Sequence, residues 1–585
     1  MEEKRLLLAL LLLIGFFFLW SWLFPPPKRA PVPVTEAPPA GEAAAAASAT
    51  PGPRVSPEGR ASVPGLGLLG GGADVARRPE LPKGTRVAAS AEERVCIDTP
   101  LYEIELTNRG ARVTSWRLKD YQDDQGQPLD LIPEAAIRLD RLPLEMALED
   151  PDASRRLREA LYRVERAERS IDGRAVTEVL FAYSDGAGLS ATKRLRIVHD
   201  GYLGELRVAA EAGGRPVTPY LVWGAGFAAH TGKEKGYYAD VPQVVVNLGG
   251  EIRFKAQPGL KPGEPWLEAG LVNWAGVGDK YFAAVFVPRA PAAGRAVAEA
   301  LPLVEEGRER TFLSFVLALP GSGEYGLFVG PKDYEVLKAT GHGLDRLVDF
   351  GFFGFIALPM FYALKYLNSH VGNYGWAIII LTIGIRLVLF PFMHRSQVSM
   401  KRTQEKMKKL QPKIKALRER YRRLERKEIE KKNLSGRHRL RQKMNEEMMA
   451  LYRQEGVNPL GSMSGCLPLL LQIPILYAFY KILSISIELR KAPFILWIRD
   501  LSQKDPYYIT PIVMGGTMLV QQMMTSSAMP DPTQRRIMYL MPVMFTYFFI
   551  NFPSGLVLYW LVSNLLSIGQ QYLVNRHVEA EKRAA

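Results

Sequence analysis

The stretch WAIIILTIGIRLVLFPF, Trp376–Phe392, is the feature on which the interpretation of the whole chain depends. It is an apolar run of membrane-helix length that carries one arginine, Arg386. An arginine among lipid tails costs about 2.5–3.5 kcal/mol or more and usually marks function. The other runs interpreted below as spans contain no Asp or Glu. We therefore expect water, backbone carbonyls or a visiting anion to meet Arg386.

The positive charge of the chain is concentrated in one block. The 585 residues carry a net charge of +15, and between Arg395 and Glu455 there are 21 Lys/Arg against 8 Asp/Glu, an excess of 13. Membrane-length apolar runs flank this block, which has few aromatic residues to stack on bases. The pattern therefore argues against a specific nucleic-acid site.

The N-terminal region predicts an anchor followed by a tether. Residues 1–24 combine a charged tip with a 19-residue apolar run, Leu6–Phe24, which is longer than a signal-peptide core and is followed by three prolines. We interpret it as an uncleaved first span with its N-terminus in the cytoplasm; a cleavable signal peptide is the alternative. Residues 25–91 are rich in Pro, Ala and Gly and predict a disordered linker.

Residues 92–341 have a sequence pattern that predicts a β-sandwich domain. Short strand-like runs alternate with Gly, Pro, Asp and Asn: Tyr102–Leu106, Ala111–Trp116, Gly204–Ala210, Gln243–Leu248 and Tyr281–Val287. The segment Asp152–Glu168 looks helical. The two histidines of the domain, His199 and His230, sit in no acid–base constellation, and the chain has no zinc spacing or phosphate-binding loop. We therefore expect no cofactor, no metal and no catalytic residue.

The positive-inside rule sets the predicted topology of the second half. Residues 342–370 could span the membrane or lie in the outer interface as an amphipathic helix. If they spanned, the basic block would lie outside, so we place them in the interface and begin the second span at 371–392. Arg386 then lies about 9 Å from the cytoplasmic end at 1.5 Å per residue, and Thr382 shares its face.

The remaining segments predict an arm and four more spans. Residues 393–456 read as a cytoplasmic basic helical hairpin, with helices near Ser396–Lys432 and Arg437–Gln454 and a turn at NLSG, Asn433–Gly436. This hairpin is either a solvated pair held by its own apolar stripe or, in addition, an arm for ribosomes, anionic lipid or partner proteins. Residues 457–575 supply spans at 465–486, 508–526, 537–550 and 554–574, and 576–585 form a short cytoplasmic tail.

Several motifs resemble the YidC family of membrane protein insertases, relatives of the mitochondrial oxidase-assembly and chloroplast Albino insertases. They are MKKLQPKIKALRERY (Met407–Tyr421), VNPLG (Val457–Gly461), CLPLLLQIPI (Cys466–Ile475), APFILWIRDLSQKDPYYI (Ala492–Ile509) and PSGLVLYWLVSNLLSIGQQ (Pro553–Gln571). The N-terminal anchor and large exported domain resemble the Gram-negative form. The basic hairpin departs from the family pattern in its extra charged residues from Arg422 to Arg441, and SMSG at Ser462–Gly465 looks extended.

The resemblance implies a fold. It is a polytopic α-helical membrane protein with six spans and a five-helix conserved core, a large periplasmic β-supersandwich domain and a cytoplasmic helical hairpin. It also implies a location in the bacterial inner membrane, with both termini cytoplasmic and the large domain periplasmic. The expected partners are nascent membrane protein substrates, the Sec translocon, ribosomes or targeting factors at the hairpin, and the lipid bilayer.

The resemblance also implies a function and a site. The family inserts inner-membrane proteins and helps them fold, alone or with Sec, through a hydrophilic groove with a single arginine. Arg386 matches that arginine; the expected polar lining is Thr382, Gln472, Ser563 and Asn564, and the expected substrate slide is Ile473, Leu476, Tyr559 and Trp560. For Arg386 the alternative is a packing role with bonds to Thr382 and helix-end carbonyls, and for Tyr559 and Trp560 it is ordinary helix packing.

Two other classes of protein remain as alternatives. An anion transporter could use Arg386 for its solute, but inverted repeats, paired broken helices and intramembrane acids are missing from the sequence. A membrane-anchored periplasmic sugar-binding or epimerase-like protein would need convergent His and Glu groups in the β domain. It would also leave the basic arm and the five-span core unexplained.

Overall fold

A computed structural model describes most of the chain after its N-terminal region. The described residues are 84–123, 125–227, 241–305, 308–321, 323–430, 434–454, 467–526 and 532–584. The predicted first span (1–24), nearly all of the predicted linker (25–91), His230 and the motif VNPLG lie outside these residues. The chain divides into a β-rich unit, which ends at Gly354 and also takes in Ser484–Arg490, and a helical unit, Phe355–Leu483 with Lys491–Ala585.

The β-rich unit contains two antiparallel sheets among its described residues. Fifteen strands form the larger sheet, along the path β1-β8-β9-β10-β19-β16-β15-β17-β18-β12-β6 with β7, β11, β13 and β14 attached at its sides; β2–β5 form the smaller one. In order, the strands are β1 Arg86–Val87, β2 Arg94–Asp98, β3 Tyr102–Thr107, β4 Arg112–Gln122, β5 Pro128–Asp130, β6 Glu145–Ala147, β7 Arg163–Ile171, β8 Arg174–Asp185, β9 Ser190–Val198, β10 Leu203–Ala212, β11 Arg215–Val217, β12 Tyr220–Trp223, β13 Gln243–Leu248, β14 Glu251–Ala256, β15 Trp266–Gly278, β16 Phe282–Pro288, β17 Ala292–Glu305, β18 Arg308–Ala318 and β19 Glu324–Pro331.

The interior of the β-rich unit is apolar and aromatic. The central strand β16 is buried along its whole length between β15 and β19, as its unbroken apolar sequence predicts. A side chain at Gly276 would place its Cβ 2.0 Å from the carbonyl oxygen of Ala284, so glycine permits the close approach of β15 and β16. Three of the five runs interpreted as strands fall within observed strands, and the other two begin one residue early, because β4 begins at Arg112 and β16 at Phe282. The prediction of a strand is confirmed at all five places.

The prediction of a helix over Asp152–Glu168 is wrong in its second half. The helix is α2, Pro151–Glu159, capped by the Asp150 carboxylate, which accepts from the Asp152 amide at 3.0 Å. The following strand β7 pairs with β8 over nine positions. The two-residue turn between them is Asp172–Gly173, both with positive φ, which is the signature of a type I′ hairpin. Turn chemistry and pairing therefore override the helix propensity of the Arg- and Glu-rich segment.

Short helices complete the β-rich unit and longer ones form the helical unit. The short helices are α1 Glu134–Arg138, α2 and α3 Tyr334–Ala339, with 3₁₀ turns at Gln257–Gly259, Leu344–Leu347 and Ile487–Leu489. The longer helices are α4 Gly354–Val371, α5 Tyr374–Glu430, α6 Leu434–Gln454, α7 Leu467–Ile485, α8 Ile509–Ser526, α9 Pro532–Phe549 and α10 Ser554–Ala584. Helices therefore occupy each segment predicted to be a later span.

Helix α5 joins the predicted second span and the first arm helix into one element of 57 residues. It begins after Asn373, whose side-chain oxygen accepts from the amides of Gly375 (2.9 Å) and Trp376 (3.2 Å). The prediction of a turn at Asn433–Gly436 is wrong in part, because α6 already begins at Leu434. Within the described residues, the helix that runs from Tyr374 is the one with both the length and the apolar composition to cross a bilayer; Leu471–Ile485 and Met538–Phe549 are shorter apolar helices.

Candidate functional site

The candidate site lies between α5 and α10, which pack side by side in the helical unit. Arg386 of α5 is partly buried, and its Nε donates to the Ser563 hydroxyl oxygen of α10 at 3.0 Å. Its Nη2 is directed at the same oxygen. A guanidinium has five N–H donors and no acceptor. Among the described residues no carboxylate pairs with Arg386, so one hydroxyl is its hydrogen-bond partner and most of its donor capacity is left over.

Gln472 of α7 completes a small polar network around that hydroxyl. Its side-chain amide donates to the Tyr559 hydroxyl at 2.8 Å and to the Ser563 oxygen at 3.1 Å. The fully buried Ser563 oxygen therefore accepts from two side chains on two different helices. Three helices, α5, α7 and α10, meet at this serine. The structure thus brings together Arg386, Gln472, Ser563 and Tyr559.

The other two residues predicted as polar lining have different partners. Thr382 is buried, and its hydroxyl donates to the carbonyl of Ile378, one turn earlier on its own helix, at 2.6 Å. Asn564 is also buried, and its amide donates to the hydroxyl of Thr517 on α8 at 3.4 Å. Neither is hydrogen-bonded to the Arg386 network. The bond between Arg386 and Thr382 that the packing alternative requires is therefore not formed.

The residues predicted as a substrate slide differ in exposure. Ile473 is 45% exposed on α7, and Leu476 is half-buried one turn later. Tyr559 is buried and stacks on Phe479, with ring centroids 4.2 Å apart. Trp560 is buried against α9, 5.2 Å from the ring of Phe549. Ile473 is thus open to contact, whereas the two aromatic residues are covered by their own bundle.

A second polar cluster joins α5 and α10 further along the chain, and the sequence reasoning missed it. Arg402 donates to both carboxylate oxygens of Glu581, at 2.7 and 3.0 Å. His577 lies 3.4 Å from the same carboxylate and 6.1 Å, ring to ring, from His394. The separation of 179 positions between Arg402 and Glu581 gives no sequence signal, so only the packing of the two helices reveals the pair.

The hairpin that follows is held by apolar and polar contacts. Leu410 and Ile414 of α5 are buried against Met448 and Leu451 of α6. Tyr421 donates to the Glu447 carboxylate at 2.7 Å, and Arg441 pairs with Glu425 at 2.6 Å. The apolar stripe predicted from helical spacing is therefore confirmed. The basic side chains on the other faces of α5 remain exposed, as the solvated-hairpin interpretation requires.

Two titratable side chains of the β-rich unit, His199 and Lys193, form hydrogen bonds within the fold. His199 shares a 2.8 Å hydrogen bond with the Thr177 hydroxyl. Fully buried Lys193 donates to the backbone oxygens of Ala111, at 2.5 Å, and Leu144. Burial, with the nearby Arg112 guanidinium adding to it, lowers the pKa of Lys193 to about 7. Its partners are fixed backbone carbonyls, so the group is a structural cation.

Comparisons with known proteins match both parts of the chain. Residues 366–582 match the model of the 60Kd inner membrane protein family, and residues 94–363 match that of the YidC periplasmic domain. A Geobacter sulfurreducens protein named membrane protein insertase YidC is 36% identical over 98% of this chain and 99% of its own length. A relative of the same name from Syntrophus aciditrophicus is 34% identical over 98% of this chain and 99% of its own. A crystal structure of an active YidC insertase aligns with a TM-score of 0.33 at 18% identity, covering 83% of this chain and 93% of its own.

Proposed function

Because the chain belongs to the YidC family of membrane protein insertases, we propose that it inserts membrane proteins through a groove in its helical unit, with Arg386 as the polar contact for the substrate. The family acts by insertion and not by catalysis of a covalent reaction. The family match places the protein in a bacterial inner membrane. Nascent membrane proteins and the lipid bilayer are its partners in this activity.

One observation carries the assignment of Arg386. The guanidinium is held by a single hydroxyl oxygen and lacks a carboxylate partner among the described residues, although most buried charges are paired. A structural arginine would have its donors met by fixed acceptors. An arginine with unmet donors next to Gln472, Ser563 and Tyr559 is suited to receive a passing anion and its water.

The proposed orientation follows from charge and helix order. The basic arm lies in the cytoplasm, the β-rich unit, proposed as a β-supersandwich, lies in the periplasm, and six spans place both termini in the cytoplasm. The spans are the predicted first anchor, the apolar part of α5, and α7 to α10; α4 lies in the outer interface. Supporting this scheme, the excess of 13 positive charges follows directly on the apolar part of α5.

In this scheme the substrate supplies the driving force. Arg386 and its water lower the desolvation cost of an acidic substrate tail as it enters the bilayer. An apolar substrate helix then gains about 0.3–0.6 kcal/mol per Leu, Ile, Phe or Val at its centre as it leaves the groove for lipid. A transferred anion gains roughly 2.3 kcal/mol per 100 mV when the outside is positive. Exposed Ile473 and neighbouring Leu476 offer an apolar edge for that helix, and Tyr559 and Trp560 join it once their aromatic packing opens.

The basic hairpin and the Sec translocon belong to the same proposal. Exposed lysines and arginines on α5 suit a phosphate-rich or acidic partner, such as a ribosome or a targeting factor that delivers nascent chains. Thr382 and Asn564 line the groove only if their present bonds to Ile378 and Thr517 exchange with water. The groove requires no cofactor in this scheme.

The test is insertion by the purified chain in ATP-free liposomes. Two single-span substrates are compared, one with an acidic N-terminal tail and one in which Asn and Gln replace the acids. Protection of the acidic tail from protease by the native protein, and its loss in Arg386→Ala, is the expected result. The neutral tail should depend much less on Arg386, because no anion needs the guanidinium.

The matched control is Arg395→Ala, which removes an exposed arginine nine positions further along the same helix. It should insert both substrates as the native protein does. Full activity of Arg386→Ala on the acidic tail would assign Arg386 to packing. Absence of insertion by folded native protein would instead move the chain to a role that needs the Sec translocon.

A further inference from the structure

The loop Lys491–Tyr508 of the helical unit is held in an unusual backbone conformation. Three of its non-glycine residues, Lys491, Leu496 and Tyr508, have φ between 54° and 58°. The left-handed conformation costs a bulky residue roughly 1–2 kcal/mol. Backbone bonds from Phe494 to Ile498 (2.9 Å) and from Leu501 to Ala492 (3.0 Å) maintain it. Its result is that the Leu496 side chain is 80% exposed.

This loop and the first residues of α10 enclose a cavity, called here the Leu496 cavity. Its volume is about 460 Å³, and its lining is Leu496, Trp497, Ile498, Arg499, Asp500, Gln503, Lys504, Pro506, Tyr507 and Ser554. The wall is fixed, because Ser554 donates through its amide to the carbonyl of Gln503 at 2.7 Å and through its hydroxyl to that of Asp500 at 3.0 Å. The cavity is thus part of the folded loop and is formed without a ligand.

The charged groups of the loop leave two cations available to the cavity. Asp505 is buried, and its carboxylate accepts from the amide and hydroxyl of Thr510, both at 2.7 Å. Burial acts to raise the pKa of Asp505, but these bonds outweigh it and hold the pKa below its usual value. Asp500 accepts from the amide (2.8 Å) and hydroxyl (2.7 Å) of Ser502. Arg499 and Lys504 are exposed, and neither forms an ion pair or side-chain hydrogen bond with any described residue.

Apolar and aromatic side chains surround these cations. Leu496 and Tyr507 of the lining are exposed, and so are the neighbouring residues Ile495, Tyr508 and Ile509. The cavity also lies where two apolar helices begin, α8 at Ile509 and α10 at Ser554, and therefore at one end of the helical bundle. Tyrosines at helix ends are typical of the membrane–water interface, where basic pockets between helices bind lipid headgroups.

We propose that the Leu496 cavity binds the headgroup of an anionic phospholipid. Arg499 and Lys504 contact the phosphate, Gln503 contacts its ester or glycerol oxygens, and Leu496 lies among the acyl chains. A free phosphate would use the cations but not the apolar rim, which identifies an amphiphile as the ligand. In the orientation proposed above, this lipid belongs to the outer leaflet; binding itself does not depend on that orientation or on the insertase activity.

The experiment is a titration of the full chain in detergent with phosphatidylglycerol, followed by native mass spectrometry. Each contact between a basic side chain and an anionic lipid surface is worth about 1 kcal/mol, or about fivefold in affinity. Arg499→Gln and Lys504→Gln should therefore each weaken binding at the tightest site about fivefold, and the double variant more than tenfold. The control double variant, Arg215→Gln with Arg295→Gln, removes two exposed arginines of the β-rich unit and should bind as the native protein does.

Two further measurements distinguish a phospholipid from a free phosphate as the ligand. Leu496→Ser should weaken phosphatidylglycerol binding severalfold, and inorganic phosphate or glycerol phosphate should fail to compete. Equal competition by inorganic phosphate, or an unchanged Leu496→Ser variant, would overturn the lipid assignment. So would equal binding by the double variant and its control. If the double variant does not fold, the single variants decide. Arg499→Lys and Lys504→Arg keep the charge and should bind nearly as the native protein does, within about twofold, whereas the single glutamine variants should bind about fivefold more weakly.

Discussion

Each unit of the molecule buries a cation, and the two cations are treated in opposite ways. Lys193 of the β-rich unit is fully buried and donates to two backbone oxygens that the sheet holds in place. Arg386 of the helical unit is partly buried, and the described residues offer its five donors one hydroxyl oxygen. Fixed acceptors hold Lys193 in place, although burial disfavours its charged form. The unmet donors of Arg386 are the basis for proposing it as a binding group, and the predictions below test this difference.

The first prediction, with the largest expected loss of stability, concerns Glu145, the buried carboxylate that pairs with arginines of the β-rich unit. Glu145 is almost fully buried; Arg158 donates to it at 2.8 Å, and Arg112 lies 3.8 Å away. Glu145→Gln removes one carboxylate from buried Arg112 and partly buried Arg158, while Asp140 still pairs with Arg112 at 2.8 Å, so we expect a loss of about 2–3 kcal/mol in the free energy of unfolding. Pulse proteolysis of the full chain in a urea series measures it. Glu134→Gln, which breaks the exposed ion pair with Arg138, should change it by less than about 0.5 kcal/mol. A loss below about 1 kcal/mol at Glu145 would contradict a structural role for the cluster.

The second prediction concerns Lys193 and pH. Its folded pKa of about 7 lies below the value of an unfolded lysine, so the unfolded state binds more protons in between. Stability should therefore rise with pH, by about 1–2 kcal/mol between pH 7 and pH 9. Lys193→Met should remove this slope, whereas Lys261→Met, at an exposed turn, should keep it. The same urea series at the two pH values gives the slope, and a native slope that survives Lys193→Met would assign it to other groups.

The third prediction concerns the oxygen that holds Arg386. Ser563→Ala removes the acceptor shared by Arg386 and Gln472, so the guanidinium loses its orientation. We expect insertion of the acidic-tailed substrate to fall about tenfold, which corresponds to about 1.4 kcal/mol. Ser563→Thr should remain within about threefold, because the hydroxyl is kept. The control is Ser567→Ala, one turn further on, whose hydroxyl donates to the carbonyl of Ser563 within its own helix. Equal losses in Ser563→Ala and Ser567→Ala would indicate general damage to α10.

The last prediction, with the smallest expected change in stability, compares the stability and the insertion activity of a variant at Arg386. Arg386→Met keeps the long side chain but removes the charge, and replacing a poorly compensated charge by an apolar group is often neutral or stabilising. We expect the thermal unfolding midpoint in detergent to change by the equivalent of less than about 1 kcal/mol while insertion of the acidic tail is lost. A large drop in the midpoint would place Arg386 beside Lys193 as a structural cation.

Local sequence patterns predicted most helices and strands of both units. The elements that were missed depend on contacts between residues far apart in the sequence. Short alternating or continuous apolar runs located β3, β4, β10, β13 and β16, and longer apolar runs located α7 to α10. The strand β7 was missed because its Glu and Arg residues favour a helix, while the Asp172–Gly173 turn and the pairing with β8 favour a strand. The sequence prediction separated the span (371–392) from the first arm helix (Ser396–Lys432), because the composition changes from apolar to charged there, yet one helix continues through both.

The candidate site was predictable as chemistry but not as geometry. The predicted intramembrane position of Arg386 and the lack of a carboxylate in the other predicted spans singled out this residue, and the family resemblance singled out Gln472, Ser563 and Tyr559. Nothing in the sequence shows that one serine accepts from both Arg386 and Gln472, because the residues are 177 and 91 positions from it. The turning of Thr382 toward Ile378 depends on helix packing in the same way.

The length of α5 has a mechanical consequence. At 1.5 Å per residue, the 44 residues that follow Arg386, up to Glu430, form a rod of about 65 Å, so a tilt of about 5° at its base moves the far end by about 6 Å. Two prolines interrupt the hydrogen-bond ladder of this rod, because Pro391 and Pro412 offer no N–H to the carbonyls of Leu387 and Lys408. The first of these two weak points adjoins Arg386. A bend there carries a displacement of the hairpin tip to the side chains around Arg386.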